Sequence, residues 1–432
     1  MSTDATAFEA STTLAPERRP VFTGAWLLSG SMLVSGVLIY AFHVLAARAL
    51  GPAAYGQIAV LWAAMFLAVI VLFRPLEQTI SRALADRLAR GHEGRTVVRS
   101  VSILAMCILA LLVGASALVW HIVTDRLFLG DSLMTALLVA GIAGYGVAYV
   151  IRGVFAGVRW FNGYGLSLIV DSVARLLIAV PLLVVASKAT AATAVIAAGA
   201  IGALVPLWFG RDRVRRAFAP QGGSRFELGS ALAFAAPASV IAAADQLLVN
   251  GSSLLVILEG GSDASKTAGI VFAATMLVRV PTYVFQGLAA GLLPNLTHLN
   301  VVSDPRRFRR AVAHATGLLL CVGAGIVAVA ALIGPQTMQL LYGSDFETGR
   351  AELVLLGAGV GFYLAASTLS QALLALDAGG RAAACWSSAA LLFVGLYFAV
   401  PGEALWRISL AFALASFVNL VTLGAVTLRR RR

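Results

Sequence analysis

Arg74, Arg175 and Arg279, together with Asp171 and Asp245, lie in or at the edge of long apolar runs. A charge at the centre of a membrane helix costs roughly 2.5–3.5 kcal/mol on insertion scales, so it faces a wet cavity or a partner. Arg279 lies near the middle of the run 267–293, just before Pro281, with no acid three or four residues away on either side. A guanidinium stays charged and can grip two phosphate oxygens at once, which makes Arg279 the leading candidate to hold an anion. Pro281 donates no backbone bond, so a kink and a freed carbonyl are expected beside it. Asp171 and Arg175 are one helical turn apart on one face. Two readings stay open: a self-neutralising pair that eases insertion, or an arginine turned to a cavity and oriented by its aspartate. Asp245, in AADQLLVN, is a partner for Arg279 or a proton site. Arg74 and Glu77, in FRPLEQTISR, end the second apolar run, where Arg74 either snorkels or gates the mouth. Arg48 has the same ambiguity at the opposite mouth. The substrate-binding candidates are thus Arg279, Arg48, Arg74 and Arg175; the coupling candidates are Asp245, Asp171 and Glu77.

Other chemistries find little support. The histidines, His43, His92, His121, His298 and His314, are scattered and make no metal set. Cys107, Cys321 and Cys385 fall inside apolar runs without CxxC spacing and read as small core residues. The glycines of 141–146 and 357–361 lack the strand and downstream acid of a nucleotide site and suit close helix packing instead. There is no GxxxxGK[ST] and no hydrolase spacing of Ser, His and Asp. No cofactor and no metal is expected.

The elements that must position these charges are membrane helices. The chain has 432 residues, 60% hydrophobic and 12% charged, against about 25% charged in soluble domains. About twelve apolar stretches of about twenty residues recur, each matching a hydrocarbon layer of roughly 30 Å. Without water there, each must satisfy its own backbone as a helix. The expected spans are 24–47, 55–73, 99–121, 133–151, 164–186, 191–209, 229–257, 267–293, 312–334, 352–374, 382–400 and 405–427. The first is too long for a signal-peptide core and reads as an uncleaved membrane helix.

The net charge of +12 raises nucleic acid as a partner. The basic residues instead fill alternate short gaps, among them Arg82–Arg99, Arg152 with Arg159, Arg211–Arg225, Arg306–Arg310 and the terminal arginines. That is the positive-inside pattern, with membrane lipids as neighbours, no nucleic acid, and both termini cytoplasmic. The gaps on the other side are short, the longest being about 334–350, so no catalytic domain fits outside the membrane. The basic stretch 210–227, with Pro220, Gly222 and Gly223, reads as a linker. The expected organisation is an N-terminal tail 1–23, an N-lobe 24–209, that linker, a C-lobe 228–428 and an arginine tail 429–432. A faint internal echo supports the halving: GPAAYGQIAVLWAAMFLA from Gly51 and GSDASKTAGIVFAATMLV from Gly261. Both copies start on one side, so the repeat is parallel, about an axis along the membrane normal.

Three segments carry a family resemblance. VLAARALGPAAYG (44–56) is similar to the AR-LGP-EYG signature that opens Wzx-type polysaccharide flippases of the multidrug/oligosaccharidyl-lipid/polysaccharide exporter superfamily. RVPTYVFQGLAAGLLPN (279–295) resembles the R-P-FQGL-A-L-P stretch of the same group, and RGVFAGVRWFNGYG (152–165) its fourth-to-fifth-helix loop. The motifs cover about a tenth of the chain; span count and halving match end to end. The resemblance implies an all-α, MATE-like membrane protein of about twelve transmembrane helices in two six-helix lobes. It implies alternating access and a polyprenyl-diphosphate-linked glycan moved across the bacterial inner membrane. Arg48 and Arg279 occupy matching motif positions; the acid in RPLEQTISR departs from the pattern. Polysaccharide polymerases or glycosyltransferases are expected partners and a monomer the functional unit. The main rival is a proton- or sodium-coupled drug antiporter of the same superfamily, which would favour an acid-dominated cavity. An enzyme such as a glycan ligase would need a large outer loop that is absent.

Overall fold

The computed structural model describes residues 20–218, 228–280, 282, 305–376 and 378–429. The tail 1–19, residues 219–227 of the linker, the terminal residues 430–432 and most of the 279–295 motif, Pro281 included, lie outside the described residues. The described chain is helical: α1 (Pro20–Ala89), α2 (Arg95–Leu118), α3 (Trp120–Phe128), α4 (Ser132–Gly157), α5 (Phe161–Ala179), α6 (Lys188–Ala217), α7 (Leu228–Glu259), α8 (Ala264–Val278), α9 (Pro305–Tyr342), α10 (Arg350–Ala375), α11 (Gly379–Ala399) and α12 (Ala404–Arg429). One 3₁₀ turn, Val180–Leu183, extends α5.

The first two expected spans form one continuous element, broken only at Gly51 (φ 70°). Glycine alone adopts that φ freely, and Pro52 then starts the second arm with its φ preset. The break is a reversal. The rings of His43 and Trp62, on either side of it, lie 4.5 Å apart, whereas a straight helix over that stretch would separate them by roughly 28 Å. Among the described residues, ten helices are long and apolar enough to cross a membrane. The folded-back α1 crosses twice, and α8 is a shorter apolar helix that reaches the edge of the described residues. The fold is an all-α, multi-pass membrane protein in two helical halves, and both described chain ends lie on one face, called here the terminal face.

Burial ranks the helices. The apolar windows of α7 and α10 are 67% buried and central; those of α2 and α9 are 11% and 22% buried and peripheral. In the first half α4, α5 and α6 pack on α1; in the second, α10 packs on α9 and α12, and α11 on α7 and α12. Helix α1 meets α7 and α8 and joins the halves. The two echo segments, α1 after Gly51 and α8, lie against each other at the face opposite the chain ends.

Several expectations need correction. The second arm of α1 runs through Pro75 to Ala89, well past 73, so Arg74, Glu77, Arg82 and Arg87 are helical. The loop expected at 334–350 shrinks to 343–349. Cys107 and Cys321 are exposed, not core; Cys385 is buried. Arg152, counted above with the loop charges, is on α4 and 5% exposed. Each half carries an ionic brace at the opposite face. Lys188 donates at 2.5 Å to Asp131, the N-cap of α4, and to Gln57 on α1. Arg407 donates at 2.6 Å to Glu259, which also accepts from Tyr397. Partial burial would raise the Asp131 carboxyl, but the bonds from Lys188 and the Met134 amide outweigh it and hold Asp131 below the usual carboxylate range.

Candidate functional site: a charged cleft between the halves

Along the second arm of α1, Val71, Arg74, Gln78 and Arg82 are exposed at three- to four-residue spacing, one helix face. That face looks toward the other half, for Arg74 lies within electrostatic reach of Asp245 on α7 as well as Glu77, Tyr149 and Tyr164 in its own half. An exposed stripe so enclosed is the wall of a cleft between the halves.

The second half supplies Asp245 and Arg279. Asp245 accepts from the Tyr363 hydroxyl at 2.5 Å through Oδ1 and from Gln246 Nε2 at 3.0 Å through Oδ2. Gln246 in turn accepts from Asn250 at 2.7 Å. Arg279, half-buried at the C-cap of α8, donates Nη1 to the Val249 carbonyl at 2.6 Å. A helix carbonyl keeps a second lone pair and can take this bond. Asp245 feels both Arg74 and Arg279, but its hydrogen bonds run to Tyr363 and Gln246, so the expected direct pairing with Arg279 is replaced by a bond from Arg279 to the backbone.

In the first half Glu77 accepts from Tyr164 at 2.7 Å. Behind it sits a closed ionic knot. Asp171 accepts from Arg175 Nη2 at 2.6 Å and Arg152 Nη2 at 2.9 Å. Tyr145 accepts from Arg175 at 2.6 Å and donates to Asp171 at 3.3 Å, and Arg152 also donates to Ser167 at 3.0 Å. The Arg175 guanidinium lies 5.0 Å from the Trp62 ring. All three ionic side chains are at most 9% exposed. The one-turn pairing read from the sequence is therefore present, yet Arg175, 1% exposed, does not front open space. Arg152, which sequence reasoning missed as a site residue, completes the knot. The signal was available, since VFAGV continues the apolar run beyond it.

Arg48 bonds apart from the cleft charges. It lies at the opposite face and donates Nη2 to the Leu340 carbonyl of α9 at 2.9 Å, bridging the halves. Around it that face is sealed. Ser265 Oγ donates to the Ala53 carbonyl at 2.7 Å. Gly56 lies so close to Ser265 that a Cβ there would overlap its carbonyl oxygen and sit 2.7 Å from its carbonyl carbon. Aromatic rings close the rest: Tyr55 with Phe346 at 5.9 Å and with Phe272 at 6.1 Å.

The two halves thus set cations on both walls of that cleft, Arg74 on the first and Arg279 on the second. No protein-family profile matches the chain. Two relatives from Mycobacterium tuberculosis are uncharacterized proteins: Rv1510 is 28% identical over 362 residues, 82% of this chain and 78% of the relative. Rv3630 is 27% identical over 376 residues, 84% and 82%. Among solved structures, the inward-facing form of a multidrug resistance MATE family transporter of the MOP superfamily aligns with a TM-score of 0.71, 17% identity and 94% of both chains. The chain has the MATE fold. The eukaryotic MATE transporter AtDTX14 aligns at 0.66, 17% identity, covering 94% of this chain and 95% of that one. An outward-facing MOP-superfamily transporter aligns at 0.65, 14% identity, with the same coverage.

Proposed function

We propose that this protein flips a polyprenyl-diphosphate-linked oligosaccharide, or a related lipid-linked glycan, across the bacterial inner membrane by alternating access, with both termini cytoplasmic. The observation that carries the reading is Arg74: an exposed cation inside a cleft, with Arg279 half-buried on the facing wall. A diphosphate headgroup must cross a low-dielectric layer while its lipid tail stays in the bilayer. Fixed guanidiniums in a wet cleft offset the lost hydration of that headgroup. In this reading Arg74 and Arg279 bind the headgroup, Asp245 and Glu77 set the local charge, and Arg175 with Asp171 holds the first half rigid. No bond of the cargo is broken, so the role asks for no nucleophile or metal. The protein works as a monomer, beside a polymerase or glycosyltransferase that consumes or supplies the cargo.

The drug-antiporter alternative keeps one observation in its favour: Asp245, half-buried and held by Tyr363, is an acid within the same cleft. The test is deletion of the gene, followed by complementation with wild type, Arg74→Ala and Arg279→Ala. Flipping predicts lipid-linked sugar accumulating in the cytoplasmic leaflet on deletion, cleared by wild type and not by either variant. Normal surface glycan together with a new sensitivity to cationic drugs would instead establish the antiporter.

A further inference from the structure

Between the second arm of α1 and helices α2, α3 and α4 lies an apolar groove of about 380 Å³. Leu72 of α1, Leu112 of α2, Val119 at the α2–α3 bend, Val123 of α3, and Leu138 and Ile142 of α4 form its walls. Only two residues of its lining carry a hydrogen-bonding side chain, and both are spent. Thr135 pairs with Thr124 at 2.8 Å, and Ser116 donates to the Val113 carbonyl at 2.7 Å. The bend leaves no amide open either, since the Val119 N–H reaches the Ala115 carbonyl at 3.1 Å. A sugar, a polar drug or water would find no partner there, so the groove suits hydrocarbon. An apolar cavity of about 150 Å³ takes one benzene ring, so this space holds on the order of fifteen carbons, about three isoprene units. Along α4 it runs from Thr135 to Ile142, roughly 5 to 15 Å from the helix start. It therefore lies in the half of the hydrocarbon layer next to the face opposite the chain ends.

The two ends of the groove differ. Val119 and Val123 roof the end next to that face, where α3 is tied to α4 through Thr124 and Thr135. The other end approaches the cleft. Between Arg74 in the cleft and Leu72 in the groove, the circumference of α1 carries Val71, Pro75 and Ala68, apolar residues that are exposed or half-buried. An apolar track thus joins the guanidinium to the groove. We propose that the groove holds the first isoprene units of the cargo's lipid tail while the headgroup is held at Arg74. A phospholipid hanging from the opposite surface is shut out by the α3 roof. A chain tethered to a headgroup in the cleft arrives from the other end. Leu72 lies nearer the opposite face than Arg74 does, so the groove turns the tail in the direction the headgroup must travel. The inference rests on the lipid-linked cargo proposed above and names where the tail of that cargo sits.

The test is photo-crosslinking of the full chain in nanodiscs of phosphatidylethanolamine and phosphatidylglycerol. The probe is a prenyl diphosphate of about three isoprene units with a diazirine at the end of its chain, a length matched to the groove. Adducts, mapped by peptide mass spectrometry, should concentrate on 108–123 and 135–142 and be sparse at the exposed Leu318 and Leu332 of α9. A phosphatidylethanolamine with the diazirine in an acyl chain should show no such preference. Ala115→Trp and Val139→Phe fill the groove from different walls. Each should cut the groove adducts at least about tenfold, the equivalent of losing two buried methylenes. Arg74→Ala should cut them as well, because the tether is lost. Even labelling of groove and α9, equal preference by the phospholipid probe, or undiminished adducts in any of the three variants overturns the proposal. Groove adducts in a protein whose deletion leaves surface glycan normal would uphold a prenyl-chain site and refute flipping. Lipid-linked sugar accumulating on deletion, with no groove adducts, would refute the tail site alone.

Discussion

Replacing Gly56 by alanine adds one methyl group at the tightest approach between the halves. The new Cβ would overlap the Ser265 carbonyl oxygen and stand 2.7 Å from its carbon, a backbone neighbour that cannot rotate away. The helices must part, and the bond from Ser265 Oγ to the Ala53 carbonyl parts with them. Overpacking of this kind costs about 1–3 kcal/mol. The strain exists only in the sealed form, so it transfers in full to the equilibrium, shifting the open-to-sealed ratio about 5–150-fold. The assay is labelling of Ser265→Cys by a membrane-impermeant thiol reagent on intact cells, in the background lacking the three native cysteines. Ser265 is 8% exposed, so labelling should be slow in the parent. Gly56→Ala should accelerate it by that factor at equal protein abundance. An unchanged rate, with the variant eluting as a monodisperse protein, would refute the claim that these segments form a seal that opens.

Arg48→Ala removes one bond across the same face, worth about 0.5–1.5 kcal/mol, and should raise the same labelling rate about two- to twelvefold; no change would remove Arg48 from the latch. Asp171→Ala leaves Arg152 and Arg175 buried without a counter-charge and should cost about 3–5 kcal/mol, read as loss of thermal stability in detergent. A variant as stable as wild type would dissolve the knot as a structural element. Asp131 has a lowered pKa in the folded state, so its contribution is present above its unfolded pKa of about 3.9 and disappears as pH falls through the lower folded value. Lys188→Met should flatten that acid loss, measured as melting temperature against pH between 6 and 2.5; an unaltered profile would mean Lys188 does not hold Asp131 there.

Much of the fold was legible because a bilayer leaves few choices. Apolar stretches matched to its thickness must become helices. The one-turn spacing of Asp171 and Arg175 announced their pairing, and the glycine-proline pair at 51–52 stands where α1 folds back. The site was less legible. Arg279 showed no acidic partner within a turn, but nothing local announced that its bond would run to the Val249 carbonyl, thirty positions earlier in sequence. Arg48 matched a motif position yet bonds to Leu340, a residue distant along the chain. Arg152 seemed a loop charge until Ser167 and Asp171 of α5 were seen to close on it.

The chain alone determined which segments enter the membrane and which charges travel with them, because burying backbone and charge in hydrocarbon is a local cost paid residue by residue. It could not determine which of those charges meet water. Whether a guanidinium ends in a knot, as Arg175 does, in a latch, as Arg48 does, or on the wall of a cleft, as Arg74 does, depends on how helices far apart in sequence rotate and pack. That choice belongs to tertiary structure, since hydration and pairing are properties of the space between helices.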